Sequence, residues 1–431
     1  MSTAASLESL ELWTRKPKSS LGFTVLGIQP STDGSLPVSI LKHEQIVVSL
    51  QLRTQILDLL RDHPMNPNTI VRLQSLLAYM YTTSFEKFCD NHDVPNGFID
   101  ILALQAGSML PFAVLPIHST QKYRTGSDLQ SWTDVVALET GITTVTDLSL
   151  TRSVNRKNLA TDPSVDNLFL HHPNKFRACV TISDLLHITI IPPQAGELKI
   201  QSFSLVCGPG TIFIDYAMRY ATSNRIKSDH DGHYSLQGVV NQNVVDQFFE
   251  ENNYSTQMSL LSIATEMFGH HEAQDVIDEC LFLGMTDHDI VATITRIVAE
   301  NIAHHSKKLA DAYCPSGCKI DEIFIGGPGA RNVDIVNYLE EALLGGVTLK
   351  PLEDIGIPCE AKEALSCAQL GLETILKLAI IEDGSSEGSQ QNRLTSSVTR
   401  GKQWQELQEH VLKFSGGREI PAVNRVIVEK E

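Results

Sequence analysis

Apolar side chains recur along the chain in two patterns. Short β-rich apolar runs bounded by turn residues predict strands, and apolar side chains spaced three or four residues apart predict helices. Residues 21–41 read as an apolar strand, a turn rich in Pro, Ser, Asp and Gly, and a second strand, and residues 43–52 predict a third strand. Residues 73–88, by contrast, repeat apolar side chains at helical spacing. This mixture predicts an α/β protein with mixed sheets covered by helices.

The later part of the chain places glycine turns between strands and helices. Residues 179–193 predict one or two strands, and residues 198–222 run from a strand through Gly208, Pro209 and Gly210 into an amphipathic helix. A second strand, glycine turn and helix follow in order.

The clearest such unit is residues 319–343, and a helix is predicted after it over residues 360–380. Residues 382–401 are polar and poor in apolar side chains, so we expect them to be flexible. A short helix is predicted around residues 403–414.

The length of 431 residues indicates about two domains. We therefore predict a segmented organisation with two lobes. The predicted parts are a flexible lead-in over residues 1–20, a first lobe over 21–140 onto which a helix over 364–380 packs back, a second lobe over 141–363, a flexible linker over 381–401, and a C-terminal extension over 402–431.

Composition and charge narrow the classes of function. Hydrophobic residues make up 42% and charged residues 20% of the chain, values typical of globular proteins. The net charge of −17 disfavours nucleic acid and anionic membranes as partners, since both are negatively charged. No apolar run is long enough to cross a bilayer, no secretory signal is apparent, and the eight cysteines form no repeating framework. We expect a cytoplasmic protein.

The first candidate for chemistry is the turn QPSTDG at residues 29–34. Its backbone N–H groups, including those of Ser31 and Gly34, could face a phosphate, and Asp33 could hold a hydrated Mg²⁺ ion. The alternative is that Asp-Gly here is only a favoured dipeptide of tight turns.

The second candidate is CGPGT at residues 207–211, where glycines permit close approach of a ligand and a helix directs its first N–H groups toward it. Asp215 lies on the first turn of that helix, where the helix dipole alone would also explain a carboxylate. The third candidate is GGPGARN at residues 326–332, which follows an apolar strand and precedes a helix, as in many nucleotide sites. It matches neither the Rossmann nor the P-loop pattern.

Together these segments resemble the anhydro-N-acetylmuramic acid kinase family, part of the actin–hexokinase–Hsp70 superfamily, over about residues 21–380. Two segments carry the resemblance most strongly, GGPGARNVDIVNYL at 326–339 and DIGIPCEAKEALSCAQLG at 354–371. Weaker matches in the same order are LGIQPSTDGSLPVSIL, HITIIPP, LVCGPGTIFID and SDHDGHYSLQGVV.

The resemblance implies a two-lobed actin/hexokinase-like fold of the ribonuclease H-like type, with ATP and Mg²⁺ in a cleft between the lobes. Family enzymes hydrolyse the 1,6-anhydro bond of their sugar and phosphorylate its O6. The implied acceptor is a small-molecule sugar, and a homodimer is left open. Asp33 is the implied magnesium ligand and, with Asp215, a catalytic candidate, while Asp229 and Asp231 are further carboxylates to consider. The implied ATP-binding residues are Ser31, Gly34, Gly208, Pro209, Gly210, Gly326, Gly327, Gly329 and Asn332.

Several departures from the family pattern bear on activity. Val206 stands where the family has the aspartate of D-T-G-P-G-N, taken as the base that activates water. A general base typically contributes about 10²–10⁴-fold to rate, and valine cannot accept a proton. Pro30 in the first turn removes a backbone donor, and the family's K-S-T-G-R-E segment is absent. Three hypotheses stay open: a kinase with a changed acceptor, an impaired relative that binds nucleotide or a protein partner, and a protein that keeps only the fold.

Overall fold

The computed structural model describes most of the chain in two compact units. The described residues are 20–28, 35–49, 51–52, 54–56, 67–104, 132–146, 164–194, 202–251, 270–313, 319–343, 346–382, 397–415 and 425–428. One unit comprises Met1–Ser149 and Glu363–Glu431, and the other comprises Leu150–Lys362.

The first unit contains strands from both ends of the chain. Its elements are β1 (Ser20–Ile28), β2 (Ser35–Val47), α1 (Pro67–His92), β3 (Ile101–Ala103), α2 (Trp132–Thr140), β4 (Thr143–Thr146), most of α9 (Lys362–Glu382), β10 (Ser397–Thr399), α10 (Trp404–Ser415) and β11 (Arg425–Val428). Residues 43–47 continue β2 instead of forming the predicted third strand, because they pair with the beginning of β1 in one antiparallel ladder.

The two sheets of the first unit correct two boundaries drawn from the sequence. One sheet has the order β1-β2-β11 and the other β10-β4-β3. Strand β4 pairs with β3, so residues 143–146, assigned above to the second lobe, belong to the first unit. Strand β10 pairs with β4 inside the segment 381–401 that was expected to be flexible. Its short β-rich stretch is ordered because β4 supplies partners for its backbone groups.

The core of the first unit forms on the predicted apolar face of α1. Leu73, Leu77, Met80 and Phe88 are all almost completely buried, as their helical spacing predicts. Helix α9 contributes to a second cluster in this unit, where Cys367, Ile375 and Leu376 pack with Val145 and Trp404.

The second unit is built on one five-stranded sheet. Its elements are α3 (Ser164–Leu170), β5 (Arg177–Ile182), β6 (Leu185–Ile191), β7 (Phe203–Pro209), α4 (Thr211–Ala221), α5 (Gln242–Glu251), α6 (His270–Phe282), α7 (Asp287–Tyr313), β8 (Glu322–Gly326), α8 (Val333–Ala342) and β9 (Thr348–Pro351). The strand order is β7-β6-β5-β8-β9. Strand β6 is antiparallel to both neighbours, while β5, β8 and β9 are parallel.

This mixed sheet confirms the predicted α/β class, and its strand order is that of a ribonuclease H-like unit. Helix α7 packs against α4, α5 and α8, and Ile290, Ile294 and Ile297 on it are fully buried. Helical cover explains why β5 and β8 read as continuous apolar runs, since strands buried on both faces need no polar alternation. Within the described ranges, no helix has the length and apolar character that a membrane span requires.

A buried charge cluster closes the amino end of β8. Glu322, only 3% exposed, forms ion pairs at 2.7 Å with Lys175, Arg177 and Lys350. Burial alone would raise the pKa of the Glu322 carboxyl, but hydrogen bonds from the three cations outweigh burial and lower the pKa to about 2. The cluster therefore ties β5, β8 and β9 together at the end of the sheet where these strands begin.

We predict that Glu322→Gln lowers the free energy of unfolding by about 3 kcal/mol at neutral pH, because three cations lose their anionic partner. The folded-state pKa lies below the unfolded value, so the carboxylate stabilises the fold above pH 4.5 and loses this effect as pH falls toward 2. The difference between wild type and variant in chemical denaturation should shrink over that range. Lys175→Met, which removes one partly exposed cation, is the control and should cost less; an equal cost would contradict the interpretation.

Candidate functional site

The carboxyl ends of β5, β7 and β8 meet at one edge of the five-stranded sheet, here called the carboxyl edge. Ile182, Pro209 and Gly326 end these strands. Ligands of open α/β sheets commonly bind at such an edge, outside the strand ends. Two of the three predicted glycine turns therefore lie at the place where a ligand site is expected.

The turn at 207–211 is held by the hairpin that joins β5 to β6. Gly210 N donates to Asp184 O at 2.9 Å and Thr211 N donates to Ser183 O at 2.7 Å. A Cβ on Gly210 would lie 2.2 Å from Ser183 O, so only glycine allows this approach. The N–H of the N-cap Gly210 and those of Thr211 and Ile212 at the start of α4, predicted to face a ligand, thus have backbone acceptors within the protein.

The turn at 326–332 packs on the same hairpin. Gly327 has a φ of +85° and its N donates to Cys359 O at 2.9 Å. A Cβ there would lie 2.6 Å from Ile182 O. Asn332 is buried and caps α8, since its side-chain oxygen accepts hydrogen bonds from the N–H groups of Asp334 and Ile335.

The described turns contact one another. A Cβ on Gly329 would lie 2.4 Å from Ile182 Cγ2 and 3.0 Å from Thr211 Cγ2. A Cβ on Gly232, in the segment 228–238, would lie 2.7 Å from Asn332 Oδ1. Segments that are far apart in the sequence are therefore brought to one place.

Carboxylates gather beside these turns. The pKa of Asp215 is raised to about 7, first by burial and then by the neighbouring charges of Asp184 and Asp229, against the opposing effect of Arg219. Asp229 accepts hydrogen bonds from the N–H groups of Tyr234 at 2.8 Å and of Ser235 at 3.1 Å. A carboxyl group that titrates near neutral pH can exchange a proton with a ligand.

The predicted site residues divide into two groups. The structure brings together the predicted residues of the second unit at the carboxyl edge, namely Gly208, Pro209, Gly210, Asp215, Gly326, Gly327, Gly329 and Asn332. Ser31, Asp33 and Gly34 lie outside the described residues, so their roles stay predictions. Asp231 is exposed, with a φ of +57°.

Sequence reasoning missed Asp184, an exposed turn residue whose negative charge contributes to the raised pKa of Asp215. The signal was available, because Ser183-Asp184 is the polar interruption that divides residues 179–193 into two strands.

A magnesium site is compatible with these residues but is not built by them alone. In the described part of the chain, no group of three His, Cys, Asp or Glu side chains could hold a metal ion. Mg²⁺ commonly uses one or two carboxylates together with phosphate oxygens and water. The carboxylates near the carboxyl edge provide the right donor chemistry, and the predicted ligand Asp33 lies outside the described residues.

Fold and site together define a mixed α/β protein whose second unit is ribonuclease H-like, with glycine turns and carboxylates at one sheet edge. A family model described as anhydro-N-acetylmuramic acid kinase matches residues 32–398. Because the match covers most of the 431 residues, the chain belongs to this family, which confirms the resemblance drawn from the motifs.

Individual relatives with this description share about a quarter of their residues with the chain. A protein of Caldanaerobacter subterraneus subsp. tengcongensis with the same description is 23% identical over 340 residues, covering 78% of this chain and 83% of the relative. One from Microcystis aeruginosa is 28% identical over 209 residues, covering 48% and 53%.

Solved structures are more distant. Component A of the (R)-2-hydroxyglutaryl-CoA dehydratase of Acidaminococcus fermentans is 12% identical, with a TM-score of 0.37 and coverage of 80% of this chain and 96% of that one. A ROK family glucokinase from Streptomyces griseus, in complex with glucose and AMPPNP, is 11% identical, with a TM-score of 0.30 and coverage of 81% and 99%. At these scores the likeness carries no argument about this chain.

We predict that Gly327→Ala lowers the free energy of unfolding by about 3 kcal/mol, since it adds left-handed strain and a clash with Ile182 O. Gly284→Ala is the matched control: its φ is +70° but open space surrounds it, so strain alone should cost about 1 kcal/mol. Chemical denaturation of both variants measures the difference. Equal costs would show that close packing on Ile182 is unimportant.

We predict that Asp215→Asn changes how stability depends on pH. The folded-state pKa is raised above the model value of 3.8, so the folded protein holds an extra proton between about pH 4 and 7 and loses stability as pH rises through that range. The asparagine variant lacks this loss, and its melting temperature relative to wild type should rise from pH 4 to pH 8. A difference that does not vary with pH would contradict the raised pKa.

Proposed function

We propose that this protein transfers the terminal phosphoryl group of ATP, with Mg²⁺, to a hydroxyl group of an amino sugar or anhydrosugar. The observation that carries the proposal is the convergence of turns 207–211 and 326–332 on the Ile182–Asp184 hairpin, in a chain of a sugar kinase family. In this proposal the nucleotide phosphates lie beside these two turns, whose buried glycines fix the backbone of the edge against the hairpin.

Asp215 is the residue best suited to accept the proton of the acceptor hydroxyl. Its pKa of about 7 allows it to be ionised at neutral pH and still basic enough to take a proton. It lies on α4, the helix that begins at Thr211 next to Gly329. In this role it supplies the carboxylate that Val206 does not.

The charges at this edge require a cation whenever a triphosphate binds. Burial and the charges of Asp184 and Asp229 oppose ionisation of Asp215, and a polyphosphate beside these carboxylates would add to the repulsion. Bound Mg²⁺ would neutralise part of this charge and polarise the phosphoryl group, with Asp33 as its proposed protein ligand.

A second function is favoured by Val206, which lies on β7 opposite His187 of β6. Valine cannot accept a proton, so Val206 cannot activate the water that would open a 1,6-anhydro ring. The alternative is a catalytically impaired member that binds nucleotide or a protein partner. The two functions differ in phosphoryl transfer, not in nucleotide binding.

The remaining parts of the proposal follow from family membership. We propose a small-molecule sugar as acceptor and the cytoplasm as location. Homodimer formation stays a prediction.

We predict that the full-length protein melts at a higher temperature with millimolar Mg-ATP and transfers labelled phosphate to at least one member of a panel of amino sugars and anhydrosugars. Asp215→Asn should keep the ATP-dependent shift but lose about 10²–10⁴-fold in transfer rate. Absence of a shift in wild type would contradict the kinase and the nucleotide-binding form of the alternative, and would leave binding of a protein partner. A shift without transfer to any sugar would favour the impaired member.

We predict that Val206→Asp, tested in the same assay, distinguishes loss of the general base from loss of the sugar-binding site. Restored ring opening of an anhydrosugar would show that the substrate still binds and that only the base is lacking. If the variant folds and gains nothing, the sugar site itself differs from that of the family.

A further inference from the structure

A buried ion pair lies within the second unit, away from its surface. Lys362 Nζ is 2.7 Å from Asp166 Oδ1, and each of the two residues is only 8% exposed. Lys362 Nζ also donates to Thr181 Oγ1 and, at 3.4 Å, to Cys179 Sγ. All three ammonium hydrogens therefore have an acceptor.

The network extends across the sheet. Thr189 on β6 donates to Asp166 Oδ2 at 2.6 Å, and its oxygen lies 3.0 Å from Ser204 Oγ on β7. Thr189 pairs with Cys179 on one side and with Ser204 on the other, so the polar groups form a row across three strands. This row is buried, and in a region of low dielectric constant hydrogen bonds are stronger and an unpaired polar group is costly.

The net stability supplied by such a pair is small. Desolvating two charges costs several kcal/mol, so a buried ion pair is often no more stabilising than apolar residues of the same volume. Its physical effect is to set the positions of the groups that it joins. The pair joins α3 to the amino end of α9, and the hydrogen bonds of Lys362 to Thr181 and Cys179 add the carboxyl half of β5.

Strand β5 and the start of α9 both support the glycine turn at 326–329. Thr181 precedes Ile182, whose carbonyl and Cγ2 contact Gly327 and Gly329. On the other side, the helical turn Cys359–Ala361 leads directly into Lys362, and Cys359 O accepts the hydrogen bond of Gly327 N. The stem of Lys362 itself lies under the turn, with Cδ 3.6 Å from where a Cβ on Gly326 would be.

We propose that Lys362, through its ion pair with Asp166, is a positioning residue for the Gly326–Gly329 turn and thereby for the nucleotide. The inference rests on the proposed function, since the turn is taken to contact ATP. Lys362 acts from beneath the turn and touches no reacting atom.

The test is isothermal titration of Mg-ATP into the full-length wild type and two single variants. Lys362→Met, which keeps the apolar stem, should raise the Kd about tenfold, as the loss of a supporting group behind a binding site commonly does. Glu322→Gln is the matched control. It breaks a buried charge cluster at the amino end of β8, whereas the Gly326–Gly329 turn lies at the carboxyl end of that strand. It should lose stability but keep its Kd within about twofold.

A double variant distinguishes an effect on the position of the turn from an effect on folding stability. It also covers the case in which Lys362→Met does not fold. Lys362→Met with Asp166→Leu removes both charges and should recover most of the stability, while the Kd for Mg-ATP stays about tenfold above wild type. A folded single or double variant with wild-type Kd would overturn the inference and leave the proposed function intact. No binding by wild type would instead overturn the proposed function and this inference with it.

Discussion

The close approach of glycine backbone to the Ile182–Asp184 hairpin is the constraint on which the rest of the carboxyl edge depends. Gly210 and Gly327 come from opposite sides and leave no room for a Cβ against the carbonyls of Ser183 and Ile182. Backbone atoms in contact cannot yield as a flexible side chain would. The turns on β7 and β8 are therefore fixed relative to one another by the geometry of one short hairpin.

Electrostatics divides the second unit between its two ends. At the amino end of β8, Glu322 is surrounded by three cations and stays ionised. At the carboxyl edge, burial and then the neighbouring charges of Asp184 and Asp229 raise the pKa of Asp215 to about 7. The first arrangement holds strands together, whereas the second keeps a proton acceptor available and opposes an anionic ligand unless a cation accompanies it.

Family membership favours a kinase, whereas the valine at position 206 favours a changed or impaired activity. Both the valine and the glycine turns belong to the second unit. Among the described residues of the second unit, the framework around the turns includes the cap at Asn332 and the charge pair under Gly326. Val206 lies on β7, paired with His187 of β6 and two residues before Gly208. A kinase with a changed acceptor and an impaired relative would share this framework.

The sequence by itself determined the class of fold, the main helices and strands of the second unit, and the segments 207–211 and 326–332 as functional candidates. It could do so because apolar periodicity and glycine turns are local properties. It predicted a separate strand over 43–52 and a flexible segment over 382–401. The strand prediction is wrong, and so is the flexibility of residues 397–399, because a distant strand decides whether a short β-rich stretch pairs. Only the tertiary structure decided that the Gly327 N–H donates to Cys359 O, that Asp184 adjoins Asp215, and that Lys362 pairs with Asp166. These facts depend on contacts between residues far apart in the chain, and neither spacing nor composition records such contacts.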